Sequence, residues 1–275
     1  MSCCTTSKDA SAAETRWTDH RHGLWKDFVF APEQVRPWSD RPIVECHEPL
    51  EPLPPSLLRL TPHPYQAIGA PYGRGADPFR LRSGVVARLL EAQGQLQLRD
   101  PTLQLAIFDA WRPVAVQAFM VDHAIAEECQ RQGVDPSDAG QRDALRRVTA
   151  EVGRFWAPPS DDPATPPPHS TGAAVDLTLA ESGSVLDMGG AIDAIGAVSE
   201  PDHYSAAARS QPQSQAGVWQ RRRDLLKEVM AAAGFEQHPN EWWHFSHGDQ
   251  LWAWRCGAPQ AFYAGALVPS SSATV

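Results

Sequence analysis

Apolar residues recur with helical spacing in four stretches of the chain and bunch into strand-length runs in three others. Val85, Val86, Leu89 and Leu90 form one stripe and predict a helix over about 83–93, with Gly94 as its end. A second helix is expected over 114–132, where Pro113 suits a helix start and Gly133 a stop. A third, over about 138–155, puts Leu145, Val148, Val152 and Phe155 on its buried side, with Ser137 as candidate cap. The clearest pattern lies over 218–234. There Trp219, Leu225, Leu226, Val229, Met230 and Ala233 share one side, and Gly234 supplies a left-handed cap.

The strand-length runs are Gln104–Phe108, the stretch 173–179 and the stretch 241–246. Other segments are too rich in breakers for regular elements. From Phe30 to Pro71 ten prolines recur, each fixing φ and removing an amide donor, so an extended arm over the core is expected. Residues 72–82 read as loop, as do the proline-rich 157–168. The long, weakly patterned 181–216 has the length of a lid.

Composition changes this picture little. At 275 residues with 42% hydrophobic and 21% charged residues, the chain can build a sizeable core. Residues 1–20 are small and polar and read as a disordered tail, 269–275 as a second tail, and 21–268 as one domain. A formal charge of −9 argues against nucleic acid as a partner. The one basic run, Arg221-Arg222-Arg223, reads as a solvated helix face. No apolar stretch approaches the ~20 residues that cross a membrane, and no hydrophobic segment near the start resembles a signal peptide. Five cysteines, with only Cys3 and Cys4 adjacent, do not make a disulfide framework, so a reducing cytoplasm is the expected location.

The chemistry concentrates at two places, His169-Ser-Thr-Gly-Ala-Ala-Val-Asp176 and Glu241-Trp-Trp-His244. A catalytic zinc takes three protein ligands and keeps one position open. His169, Asp176 and His244 supply two imidazoles and a carboxylate, and Glu241 is the candidate to take a proton from the attacking water. Strand alternation would set Glu241 and His244 on opposite faces, so a bend or bulge is expected between them. His247 is the alternative third ligand. Trp242 and Trp243 read as packing beside the ligands. Arg112 lies at a strand-to-helix turn, and on its own sequence it reads as a surface arginine paired with Asp109.

Phe108-Asp-Ala-Trp-Arg112-Pro113, His169 to Leu179, Met188-Gly189 with Asp193, and Asn240-Glu-Trp-Trp-His-Phe-Ser246 follow one another in a set order. In this the chain resembles the zinc peptidases of the D-alanyl-D-alanine dipeptidase and carboxypeptidase superfamily, and the VanX-type dipeptidases in particular, over roughly residues 60–265. The resemblance implies one zinc per chain and hydrolysis of a small D,D-dipeptide. It also implies Arg112 facing the scissile carbonyl and Asp193 near the substrate ammonium. One position departs from the family: the usual serine two residues before the histidine is Pro167, which leaves Ser170 and Thr171 as candidate replacements.

The expected fold is α+β: a small, mainly antiparallel sheet with helices on one side, the zinc in a cleft on the other and a proline-rich N-terminal arm. The antiparallel order comes from the resemblance. The expected function is zinc-dependent hydrolysis of D-alanyl-D-alanine. The alternatives are a D,D-carboxypeptidase of peptidoglycan stem peptides and a zinc-stabilised binding module without catalysis.

Overall fold

Alternation along Leu103–Asp109 (β4) sets the architecture. Leu103, Leu105 and Ile107 point to one face and join a single hydrophobic core. The neighbouring strand Ala174–Glu181 (β5) does the same with Val175, Leu177 and Leu179, while Asp176 and Thr178 point the other way. The computed structural model describes residues 36–73 and 76–266. The expected tails at 1–20 and 269–275, with Cys3 and Cys4, lie outside these.

Among the described residues, β4 and β5 form the centre of a six-stranded sheet. The other strands are Leu58–Arg59 (β2), Ser184–Val185 (β6), Glu236–Gln237 (β7) and His244–Ser246 (β8). The order is β2-β4-β5-β8-β7, with β6 folded back on β5. Every pairing is antiparallel except β2 with β4. A separate two-stranded ribbon joins Leu50–Pro52 (β1) to Arg80–Arg82 (β3). Residues 80–82, expected as loop, are therefore strand.

Two helices cover the core face of the sheet. Ser83–Arg99 (α2) contributes Val85, Val86, Leu89, Ala92 and Leu96, and Gln215–Ala232 (α6) contributes Leu226, Val229 and Met230. The first of these runs past Gly94, where a stop was expected. Leu96 is fully buried, and the Gln93 side chain accepts from the Leu105 amide at 2.8 Å, so tertiary contacts carry the helix onward. The glycine itself faces open space.

The expectation that all helices lie on one side is corrected. Val114–Gln132 (α3) and Arg142–Gly153 (α4) pack on each other in a second apolar cluster with Tyr65, Tyr72 and Trp156. Phe108, on the opposite face of β4 from Ile107, packs against it. Helix α4 is shorter than the predicted 138–155 because a turn of 3-10 helix, Ala139–Gln141, precedes it. Asp138 caps that turn through the Gly140 amide, and Ser137 bonds to Asp135 instead. Two further helices are short, Pro64–Ala67 (α1) within the proline-rich stretch and Ser205–Ser210 (α5). Gln250–Cys256 (α7) follows β8.

The run Arg221–Arg223 is not uniformly solvated. Arg223 is 1% exposed and donates to the carbonyls of Met188, Glu200 and Val198 at 2.8–3.0 Å. It thereby latches the 188–200 loop, which carries Asp193, onto α6.

Candidate active site

Register brings the polar residues together. Asp109 of β4 stands opposite Asp176 of β5, and Asp176 stands opposite His244 of β8, so one rung of the sheet carries all three. An irregularity between Ile107 and Asp109 shifts β4 so that Asp109 meets this rung. His169 arrives on a 3-10 turn, Pro168–Thr171, that ends in Gly172 at φ 72°. A Cβ on Gly172 would lie 2.3 Å from the Leu50 side chain, so only glycine lets the chain turn there from His169 into β5.

The donor atoms converge. His169 Nε2 lies 3.2 Å from Asp176 Oδ2 and 3.2 Å from His244 Nδ1, and His244 Nδ1 lies 3.0 Å from Asp176 Oδ1. Ligands 2.0–2.1 Å from a tetrahedral zinc stand about 3.3 Å apart, so these spacings suit that ion. His169 Nδ1 donates to the Ala110 carbonyl at 2.6 Å, which leaves its Nε2 lone pair directed at the cluster. His169, Asp176 and His244 form the one His/Cys/Asp/Glu group suited to a metal among the described residues, and all three are buried.

Burial alone would raise the Asp176 carboxyl, but the charges and hydrogen bonds of His169 and His244 hold it far below the usual range. It is an anion under all working conditions.

Glu241 sits just outside the triangle, its Oε2 3.7 Å from His244 Nδ1. The expected bend is present: residues 241–243 leave the strand, and β8 begins only at His244. Burial, then the Asp176 charge, push the Glu241 carboxyl well above its ordinary value. That is the direction suited to a group that takes and returns a proton near neutrality. His238 lies beside it, with Nδ1 3.4 Å from Glu241 Oε1, and burial keeps that imidazole neutral.

Arg112 is not on the surface. It is 4% exposed, with Nε 2.9 Å from Asp109 Oδ2, Nη2 3.2 Å from Asp176 Oδ2 and Nη1 3.0 Å from Gln117 Oε1. Its pairing with Asp109, expected from sequence, exists inside the site. Burial opposes its charge, but Asp109 and then Tyr65 and Asp176 more than restore it. Asp109 is held in turn by His63 at 3.1 Å and by the Tyr72 hydroxyl at 3.1 Å.

Asp193 faces the same pocket, in the left-handed region at φ 66°, and accepts from the Tyr65 hydroxyl at 2.9 Å. Burial, then the charge of Asp176, push its carboxyl up.

Three other candidates fall elsewhere. His247 hydrogen-bonds the Gly234 carbonyl at 2.8 Å and is not part of the cluster. Ser170 Oγ donates to the Arg112 carbonyl and Thr171 Oγ1 to the Pro168 carbonyl, so neither hydroxyl stands in for the serine replaced by Pro167.

The sequence reading missed His63, Tyr65, Tyr72, Gln117, His238 and Arg36. Only Gln117 could have been found from a local pattern, because it lies five residues beyond Arg112 at the start of a helix. Of these, Arg36, Gln117 and His238 line the same pocket as the metal-binding triangle, whereas His63 and Tyr72 act through Asp109 and Tyr65 through Asp193.

Two imidazoles and a carboxylate converging beside a second carboxylate are the equipment of a metal-dependent peptidase. The chain belongs to the D-ala-D-ala dipeptidase family, Peptidase_M15, whose model matches residues 59–263. It is 44% identical over 225 residues to a D-alanyl-D-alanine dipeptidase of Synechocystis sp., covering 80% of this chain and 90% of that one. It is 33% identical over 144 residues to a D-alanyl-D-alanine dipeptidase of Escherichia coli, covering 52% and 54% respectively. A solved structure of the vancomycin-resistance D,D-pentapeptidase VanY with zinc matches 78% of this chain and 90% of that one, at 13% identity and a TM-score of 0.36.

Proposed function

We propose that the chain is a zinc-dependent D,D-dipeptidase that hydrolyses D-alanyl-D-alanine. The observation that carries this reading is the triangle of His169, Asp176 and His244 with Glu241 against its edge, inside one small pocket. Family membership and the 44% identity to a D-alanyl-D-alanine dipeptidase supply the substrate class.

In this reading His169, Asp176 and His244 hold one zinc per chain. Bound there, zinc supplies an acidified water, with a pKa lowered from about 15.7 towards 7, and polarises the carbonyl. Glu241 takes the proton of the attacking water and returns it to the leaving amine nitrogen. A C–N bond needs that proton, because an amide anion is a very poor leaving group. Arg112, fixed by Asp109 and Gln117, offers its remaining N–H groups to the oxygen that gains charge. Asp193, steadied by Tyr65, takes the substrate ammonium. Glu241 and Arg112 together speak against a non-catalytic binding module, which would have no use for either.

The finer architecture belongs to the same proposal. The zinc site would lie in a cleft, and the described part of the Phe30–Pro71 stretch, residues 36–71, would run as an arm over the core of the expected 21–268 domain, of which residues 21–35, 74–75 and 267–268 lie outside the described residues. No helix among the described residues is long and apolar enough to cross a membrane, and a cytoplasmic enzyme acting on a free dipeptide is the reading we favour.

A panel of D,D-, L,D- and L,L-dipeptides, each with and without a blocked amine, tests it. Turnover of D-alanyl-D-alanine, lost on acetylation of its amine, is expected. Equal turnover of the blocked peptide would make the chain a carboxypeptidase. Zinc binding without any turnover would leave the binding module.

A further inference from the structure

The pocket contains a second arginine that the mechanism above does not use. Arg36 lines it together with Glu241, His238 and the metal-binding triangle. Arg112 has two carboxylates for company, Asp109 and Asp176. Arg36 has none: among the described residues no carboxylate lies within ion-pair distance of it. Among the described residues its hydrogen bonds, to His238 Nε2 and to the Gly153 carbonyl, are both 3.5 Å long, and its Nε is buried without a partner. The guanidinium is propped on the Trp38 ring at 5.3 Å. Burial lowers its pKa to about 10, offset in part by Glu241, so it is charged at neutral pH.

A partly buried cation with its Nε shielded from solvent and no counter-ion among the described residues is poorly compensated, and such a group is stabilised when an anion arrives. The proposed substrate brings one. A free dipeptide is a zwitterion, and the proposed function gives its ammonium to Asp193, which lines this pocket and accepts from the Tyr65 hydroxyl. Its α-carboxylate needs a cation elsewhere in the same pocket. The hydroxyls of Ser170 and Thr171 are committed to backbone carbonyls, and Arg112 is neutralised. A planar guanidinium with an unused Nε matches a carboxylate in two-point geometry.

We infer that Arg36 binds the α-carboxylate of the dipeptide and so restricts the site to peptides with a free C-terminus. The inference rests on the dipeptidase reading and goes beyond it by assigning the carboxylate subsite to a residue outside the sequence motifs.

The test compares D-alanyl-D-alanine with its C-terminal amide in the zinc-loaded wild type, in Arg36→Gln and in Arg36→Lys. In the wild type the amide should show a KM higher by about 30-fold or more, the size expected when a buried charge pair loses one member. Arg36→Gln should raise KM for the acid by a similar factor and leave the amide nearly unchanged, so the preference disappears. Zinc content and kcat should stay near wild type, and Arg36→Lys should recover part of the loss for the acid alone. Equal losses on acid and amide in Arg36→Gln would make Arg36 a support for His238, and the inference would fall while the dipeptidase reading stood. A wild type that does not distinguish acid from amide overturns it without any variant. A wild type that turns over neither peptide overturns the dipeptidase reading and this inference with it.

Discussion

The site and the helix-covered core both bury arginines and histidines, and they satisfy them in opposite ways. Away from the site, Arg223 is closed off by three backbone carbonyls and His247 by one, the carbonyl of Gly234. In the site, Asp109, Arg112, His169, Asp176 and His244 are held largely by one another. A backbone carbonyl is neutral and fixed, so a side chain bound to it has one state. Ionisable groups facing each other across a pocket can exchange partners when a metal, a water or a substrate enters. The first arrangement builds a scaffold and the second builds a reactive centre. The same residue types thus take their role from the kind of partner they meet.

The sharpest way to break this comparison is at the histidines. His169→Ala or His244→Ala should empty the zinc site and abolish dipeptide hydrolysis, whereas the same loss should not follow substitution of His247. Metal analysis of the purified variants decides. Full zinc in either the His169 or the His244 variant would mean that the triangle is not the ligand set.

Next in size is Glu241→Ala. Glu241 is in the pocket but outside the donor triangle, so its removal should keep zinc and lower kcat by at least about 10³, within the range of general acid–base catalysis. Binding of an unhydrolysable phosphinate analogue should survive. Zinc loss would move Glu241 into the ligand set, and retained turnover would transfer the base to His238 or Asp193. Arg112→Lys should cost roughly 10² in kcat with zinc retained, because a point charge cannot reproduce the fork that spans Asp109, Gln117 and Asp176. Near-normal turnover would reduce Arg112 to an ion-pair residue like any other.

The reactive centre was far more legible in the sequence than its surroundings were. His169, Asp176, Glu241 and His244 sit in two short stretches whose spacing survives in the linear chain, and the need for a bend between Glu241 and His244 follows from strand alternation alone. His63, Tyr72, His238 and Arg36 reach the site only through tertiary folding. Two of them come from a stretch whose prolines hide any period, and nothing in their local sequence separates them from surface residues. In the fold, helix positions were readable from their stripes, but ends were not. Gly94 is a plausible stop until Gln93 and Leu96 find partners in β4 and the core. Arg223 was misread for the complementary reason. A run of three arginines looks solvated, and only the return of the 188–200 loop across α6 gives the third one its carbonyls.

The smallest predicted effect concerns stability and lies on the scaffold side of the comparison. His247 is buried among Phe235, Trp252 and Phe262, with Nδ1 donating to the Gly234 carbonyl. Burial lowers its pKa from 6.5 to about 4, and the carbonyl opposes this only in part. The folded state therefore keeps the ring neutral where the unfolded chain has already taken up a proton. Between pH 6.5 and about 4 the unfolded state binds more protons, so stability should fall as pH falls through that window and should be fully present above it. Between pH 7 and pH 5 the contribution amounts to roughly 2 kcal/mol for a single such group. His247→Gln can still donate to the Gly234 carbonyl but cannot titrate. Urea midpoints measured at pH 7 and pH 5 should therefore lie closer together in the variant than in the wild type, with zinc content and kcat at pH 7 unchanged. An unaltered pH dependence would show that His247 titrates alike in both states. A loss of zinc in the same variant would place His247 on the reactive side of the molecule and undo the contrast with His244.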